Sequence, residues 1–409
     1  MREEKERNKN EYLSHIKSEV RHELNLSSSE ITDEDAEKRI RDKILNHPIL
    51  SKYGSREQKA MVRSVFLTIR KDLDVIQPYA DDSSVSEIMV NGKDDIFIEK
   101  SGELIKLEEG FDSTETLEEV IRRICAAVNR EINEMSPIVD ARLPDGSRVN
   151  AVYKNVALNG PILTIRKFPE KAITMEDLLA GGSLTEEAAH FLKTLVRAGY
   201  NIFVSGGTSS GKTTFLNVLS DYIPKKERVV VIEDSAELRI RGMENVVRLE
   251  VRSANAQGRG GVDMQDLIKA SLRMRPDRII VGEVRGKEVL DMIQAMNTGH
   301  DGSLSTGHGN SVDGMMRRLE SMFLQAADFP IEAIRAQIAE GIDIVVHMGR
   351  LPGGERRLLE IAEVLPFRGG AGSMIETKKL FSYIPGEGLK KTGEELQNTL
   401  KLSLRGEKL

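Results

Sequence analysis

The sequence has no tryptophan, and aromatic side chains make up only 4% of its 409 residues. Grooves that hold single-stranded nucleic acid combine basic residues with stacking aromatics. That scarcity, together with a formal net charge of -6, argues against a nucleic-acid partner. There is one cysteine, Cys125. It has no disulfide partner within the chain, and no Cys/His spacing resembles a zinc site, which favours a reducing compartment. Long apolar runs are missing too. Stretches such as Val229–Ile232 are strand length, far below the roughly 18 to 20 residues that cross a bilayer. Met1 to Arg7 carry charges where a signal peptide has its apolar run. The expectation is a cytoplasmic chain that meets the inner face of the cell membrane through a partner.

What is present is a large globular chain. It is 39% hydrophobic and 30% charged, enough for two or three domains, and it shows no fixed-period repeat. Residues 1–75 read as a helical extension, with Leu13, Ile16, Val20 and Leu24, then Ile40, Ile44 and Leu45, then Val62, Val65, Phe66, Ile69 and Leu73 at helical spacing. Thr32 or Asp33 could cap the second helix, and the Ser27–Ser29 cluster is a break. Residues 76–168 read as an α+β domain. It has a strand meander from Val85, a helix from Thr114 to Asn129 with Cys125 as core filler, and strands at Arg148–Val152 and Ile162–Phe168. Residues 169–183 read as a linker with a short helix. From 184 to 409, helical and strand patterns alternate, which implies a mostly parallel sheet with helices on its faces.

The strongest motif lies in that last segment. Gly206-Gly207-Thr208-Ser209-Ser210-Gly211-Lys212-Thr213-Thr214 fits G-x-x-x-x-G-K-[ST] between an apolar strand and a helix. Backbone N–H groups of such a loop wrap phosphates at a helix N-terminus. Lys212 would reach the β- and γ-phosphates of ATP, and the Thr213 hydroxyl would ligate Mg²⁺. Two strands end in carboxylates. Val229–Ile232 leads into Glu233-Asp234, with Glu237 beyond, and Arg278–Val281 leads through Gly282 to Glu283. Because Gly282 stands where a metal-binding Asp usually sits, Mg²⁺ duty is assigned to Thr213 with Asp234 and Glu233, and Glu283 is left to polarise water. Which of Glu233 and Glu283 is the general base stays open. Segment 298–310, with His300 and His308, reads as a flexible polar loop between helices from which an imidazole reaches a γ-phosphate. His347 reads as a strand residue without a catalytic part. Arg142, Arg148 and Arg166 are candidates to complete the phosphate site from the preceding domain.

In this order, the P-loop, the Glu233-Asp234 box, the Glu283 strand and the two-histidine segment resemble those of the secretion and type IV pilus traffic ATPases. Within them, the strings Val85–Gly92, Asp140–Asn150 and Ile165–Phe168 look most like the CpaF-type ATPases of Tad/Flp pilus systems. The resemblance covers about residues 60–368. It implies an α/β fold, a RecA-like P-loop ATPase domain with a mostly parallel sheet preceded by a smaller α+β domain. It also implies a homo-hexameric motor in which Arg142, Arg148 and Arg166 approach ATP as domains close, and an inner-membrane platform as partner. A type IV secretion ATPase exporting DNA or effectors is the alternative. The absence of a four-cysteine insertion sets the chain apart from the type II secretion branch.

Overall fold

The computed structural model describes residues 32–100, 102–128, 130–143, 145–168, 172–252, 254, 259–370 and 373–409, together with residues 9, 12–13, 15–20 and 22–23. The chain divides into two compact units, Met1–Glu170 and Lys171–Leu409.

In the first unit, helices Asp33–Asn46 and Ser55–Arg70 bury Ile40 and Ile44 with Met61, Val62 and Val65 in a small core. The Thr32 hydroxyl caps the first of them, accepting the Asp35 N–H at 3.2 Å. Leu24 and the Ser27–Ser29 break lie outside the described residues. A six-stranded sheet follows, built from β1 (Val85–Asn91), β2 (Ile96–Lys100), β3 (Glu103–Lys106), β4 (Ile138–Arg142), β5 (Arg148–Val152) and β6 (Ile162–Arg166). Its order is β3-β2-β1-β6-β5-β4, and every neighbouring pair is antiparallel. Alternation along β1 and β5 sends Ile88, Val90, Val149 and Ala151 to one face, where the helix Thr114–Ala127 lays down Leu117, Val120, Ile121, Ile124 and Cys125. That helix starts where the Ser113 hydroxyl accepts the Thr116 N–H at 3.1 Å. Burial pushes the Cys125 thiol pKa up, consistent with an inert core side chain.

The second unit holds a nine-stranded sheet: β7 (Ile202–Gly206), β8 (Val229–Glu233), β9 (Val246–Glu250), β10 (Arg278–Val281), β11 (Leu304–His308), β12 (Ile344–Arg350), β13 (Arg356–Val364), β14 (Thr377–Ile384) and β15 (Gly388–Lys391). The order is β15-β14-β13-β12-β7-β11-β10-β8-β9. From β12 to β9 all pairs are parallel, whereas β12 to β15 pair antiparallel. The parallel strands are covered on both faces. Val229 and Val231 belong to one core cluster, and Val230 and Ile232 to the other, so the run reads as continuously apolar. One face is covered by helices that include Glu186–Ala198 and Lys212–Ser220, the other by Val289–Asn297, Val312–Ala326 and Ile331–Gly341.

One expectation is corrected here. The segment 298–310 is not a flexible loop between helices: residues Leu304–His308 form β11, a central strand hydrogen-bonded to β7 and β10. Its small residues are a packing requirement. A Cβ on Gly307 would stand 2.9 Å from Phe203 Cζ and 3.0 Å from Met315 Cε.

Candidate functional site

Parallel pairing sets the carboxyl ends of six strands along one edge, where open α/β sheets bind ligands. Gly206 of β7 is level with His308 of β11 and with Met348 of β12, and Ile232 of β8 is level with Val281 of β10. The P-loop, Glu233-Asp234, Glu283 and His308 therefore converge at that edge. His300 precedes β11 and lies toward the opposite end of the strand, where its Nδ1 is 3.1 Å from the Ala295 carbonyl.

The P-loop is a tight turn opening the helix Lys212–Ser220. Gly211 sits at φ 92 and Ser209, unusually for a non-glycine residue, at φ 57. At Gly206, a Cβ would stand 2.5 Å from the Met348 carbonyl oxygen and from Ser210 Oγ, so only glycine fits. The Ser210 hydroxyl and Lys212 Nζ donate to the Gly207 carbonyl at 2.9 and 2.8 Å. Burial pushes the Lys212 pKa down.

His308 stands between Lys212 and Glu283. Its Nδ1 is 3.2 Å from Lys212 Nζ. An ammonium has only protons to give, so Nδ1 accepts and the ring proton is on Nε2. Burial, partly countered by Glu283, lowers the His308 pKa, and Lys212 and Arg285 add to the lowering; the ring is held neutral. Nε2 lies 2.9 Å from Glu283 Oε1 without hydrogen-bond alignment, and that buried oxygen makes no hydrogen bond among the described residues. A buried carboxylate oxygen in this condition is an acceptor waiting for a donor.

Glu233 is placed differently. It is only 3% exposed, and its Oε1 accepts the N–H groups of Glu237 and Leu238 at 2.7 and 2.8 Å. Burial outweighs those two bonds and pushes its pKa up to about 7. A Cβ on Gly282 would lie 3.1 Å from Glu233 Cγ, which gives a physical reason for glycine where an aspartate was expected: the Glu233 stem occupies that space. Arg285, which the sequence reading passed over, joins the two strand ends, with its guanidinium 3.1 Å from Glu283 and 3.6 Å from Asp234. Its position two residues past Glu283 was the available signal. Among the described residues no three His, Cys, Asp or Glu side chains gather as a metal cage. A Mg²⁺ ion would therefore depend on the Thr213 hydroxyl and on phosphate oxygens.

In the first unit, the three candidate arginines form one row. Arg142 is opposite Arg148, and Arg148 is opposite Arg166, across β4, β5 and β6. Arg142 Nε donates to the Gly146 carbonyl at 3.3 Å.

Residues 70–352 match the family described as type II/IV secretion system protein. The chain belongs to that family. An uncharacterized protein of Methanocaldococcus jannaschii is 37% identical to this secretion-family chain over 303 residues; the match covers 72% of the chain but 40% of that longer relative. The probable conjugal transfer protein TrbB of Sinorhizobium fredii is 35% identical over 294 residues, 71% of this chain and 86% of TrbB. The type IV secretion system protein PtlH of Bordetella pertussis is 33% identical over 318 residues, 71% of this chain and 93% of PtlH. The crystal structure of the pilus retraction motor PilT with bound ADP has a TM-score of 0.54 at 22% identity, covering 72% of this chain and 82% of PilT; at that identity the likeness speaks for the fold alone. Among the described residues of this family member, no helix is long and apolar enough to cross a membrane.

Proposed function

We propose that this secretion-family protein is an ATP-hydrolysing motor. The observation that carries the reading is the chain of contacts Gly207–Lys212–His308–Glu283 at the mouth of the P-loop, ending on a buried carboxylate oxygen that makes no hydrogen bond among the described residues. In this reading Lys212 leaves the Gly207 carbonyl for the β- and γ-phosphates, and the loop N–H groups hold the phosphate oxygens. Glu283 Oε1 accepts a proton of the attacking water and aims it at the γ-phosphorus. Arg285 keeps that carboxylate in place. His308, neutral and set between Lys212 and Glu283, exchanges partners when the γ-phosphate departs. Thr213, with Asp234 and Glu233 nearby, would hold Mg²⁺, which would supply positive charge to the phosphates. Glu233, already engaged with the turn at 237–238, acts chiefly by fixing the loop after β8.

The same reading assigns a ring of six copies, in which Arg142, Arg148 and Arg166 answer to nucleotide. It places the protein in the cytoplasm at the inner face of the membrane, where it drives a Tad/Flp pilus through an inner-membrane platform. The similarity to TrbB and PtlH favours a second reading, a type IV secretion ATPase that exports DNA or effectors. ATPase assays of the purified protein with membranes carrying a Tad platform, with type IV secretion membranes and with single-stranded DNA separate the two. Stimulation by the Tad platform alone supports the pilus motor. Stimulation only by type IV secretion membranes moves the assignment to export, and stimulation by DNA without membranes contradicts both.

A further inference from the structure

The hairpin between β12 and β13 overhangs the P-loop. Met348 is level with Gly206, so Gly349 and Arg350 run past the first glycine of the loop. The chain then turns, with the Leu351 N–H donating to the Glu355 carbonyl at 2.8 Å, and returns as Arg356. This geometry sets Arg350 and Arg356 directly opposite each other in the ladder. Directly opposed like charges destabilise a strand pair. Neither side chain has an acidic partner among the described residues; the adjacent Glu355 pairs instead with Arg357 at 2.7 Å.

Arg356 is also in contact with the loop itself. Its Nε donates to the Ser209 carbonyl at 3.1 Å, and its Cδ lies 3.3 Å from where a Cβ on Gly211 would stand. Ser209 is the residue held at positive φ. One of the five N–H donors of the guanidinium is thus spent on the loop backbone, and the terminal nitrogens are left for another acceptor. A repulsive cationic pair kept beside a phosphate-binding loop is accounted for if an anion is present when the site works.

We propose that Arg350 and Arg356 form a cationic wall of the nucleotide site, contributed by the same chain, in which the phosphates of a bound nucleoside di- or triphosphate neutralise the opposed charges. The proposal rests on the reading of the P-loop as a nucleotide site. It assigns to the β12–β13 hairpin a part in binding as well as in extending the sheet.

The test is calorimetric titration of the full-length protein with ADP at low and moderate salt, beside melting curves with and without ADP, for wild type, Arg350→Ala, Arg356→Ala and Arg356→Lys. Each alanine variant is expected to weaken ADP binding at least about fivefold and to flatten its salt dependence. Arg356→Lys, which keeps the charge, recovers part of that loss. Without ADP, Arg350→Ala melts no lower than wild type because a repulsion has been removed, while its gain in melting temperature on adding ADP shrinks. Wild-type ADP affinity in both alanine variants overturns the proposal and leaves the P-loop reading intact, and a lowered melting temperature with unchanged affinity would reduce Arg356 to a structural brace. Failure of the wild-type protein to bind ADP overturns the P-loop reading, and this proposal with it.

Discussion

Glu233 offers a perturbation whose size follows from its surroundings. In the unfolded chain its carboxyl titrates near 4.5, and burial in the native state raises this to about 7. Between those values the folded protein holds a proton that the unfolded chain has released, so stability falls as pH rises through this window. The contribution is fully present below about pH 4.5 and is lost above about pH 7. A displacement of this size corresponds to on the order of 3 kcal/mol, and at 3% exposure solvent screens little of it. Glu233→Gln keeps an oxygen for the N–H groups of Glu237 and Leu238 but cannot ionise. The variant is expected to match wild type near pH 5 and to be more stable by ~2–3 kcal/mol at pH 8, read from urea unfolding at each pH. Stability curves for the two proteins that stay parallel from pH 5 to pH 8 would refute the reasoning. If Glu233 organises the loop and is not the base, the variant also loses less turnover than the roughly hundredfold or more that a general base contributes.

Two further outcomes follow from the same geometry. Glu283→Gln should bind ATP with near wild-type affinity but lose turnover by on the order of a hundredfold or more; steady-state hydrolysis beside nucleotide titration checks this, and activity within a fewfold of wild type moves the base to Glu233. Gly307→Ala should destabilise the second unit by about 1–3 kcal/mol, because the new methyl meets the Phe203 ring and the Met315 side chain on a packed face. Thermal unfolding reads the change, and a variant as stable as wild type would show that Phe203 and Met315 can yield.

Much of this architecture was legible in the sequence because it rests on local signals. The P-loop announces itself by glycine spacing between an apolar strand and a helix, and Glu233 and Glu283 by the apolar runs that precede them. The helix Thr114–Ala127 was expected from the spacing of its buried residues, with an end two residues off. Less was legible where tertiary packing decides. Segment 304–308 reads Leu-Ser-Thr-Gly-His, poor in the branched and aromatic residues that mark strands, yet it is a central strand because small side chains let Phe203 and Met315 close over it. The strands β13 to β15 and the edge strands β4 and β9 carry mixed polar patterns and were missed. Nothing in the residue pattern tells how Arg278, at the head of an apolar strand, is accommodated. It is fully buried, bonded to the Glu227 carboxylate and to the carbonyls of Val196 and Gly302. At the site, residue types predicted the participants but not the partners: that Lys212 meets His308, or that Arg285 ties Glu283 to Asp234, depends on strand order.

The most direct test of the central claim is steady-state hydrolysis of ATP with Mg²⁺ by the purified full-length protein, measured beside Lys212→Ala. The account predicts phosphate release by wild type and none above background in the variant, whose circular dichroism and melting curve stay close to wild type. Absence of hydrolysis in wild type, or equal turnover in Lys212→Ala, would contradict it.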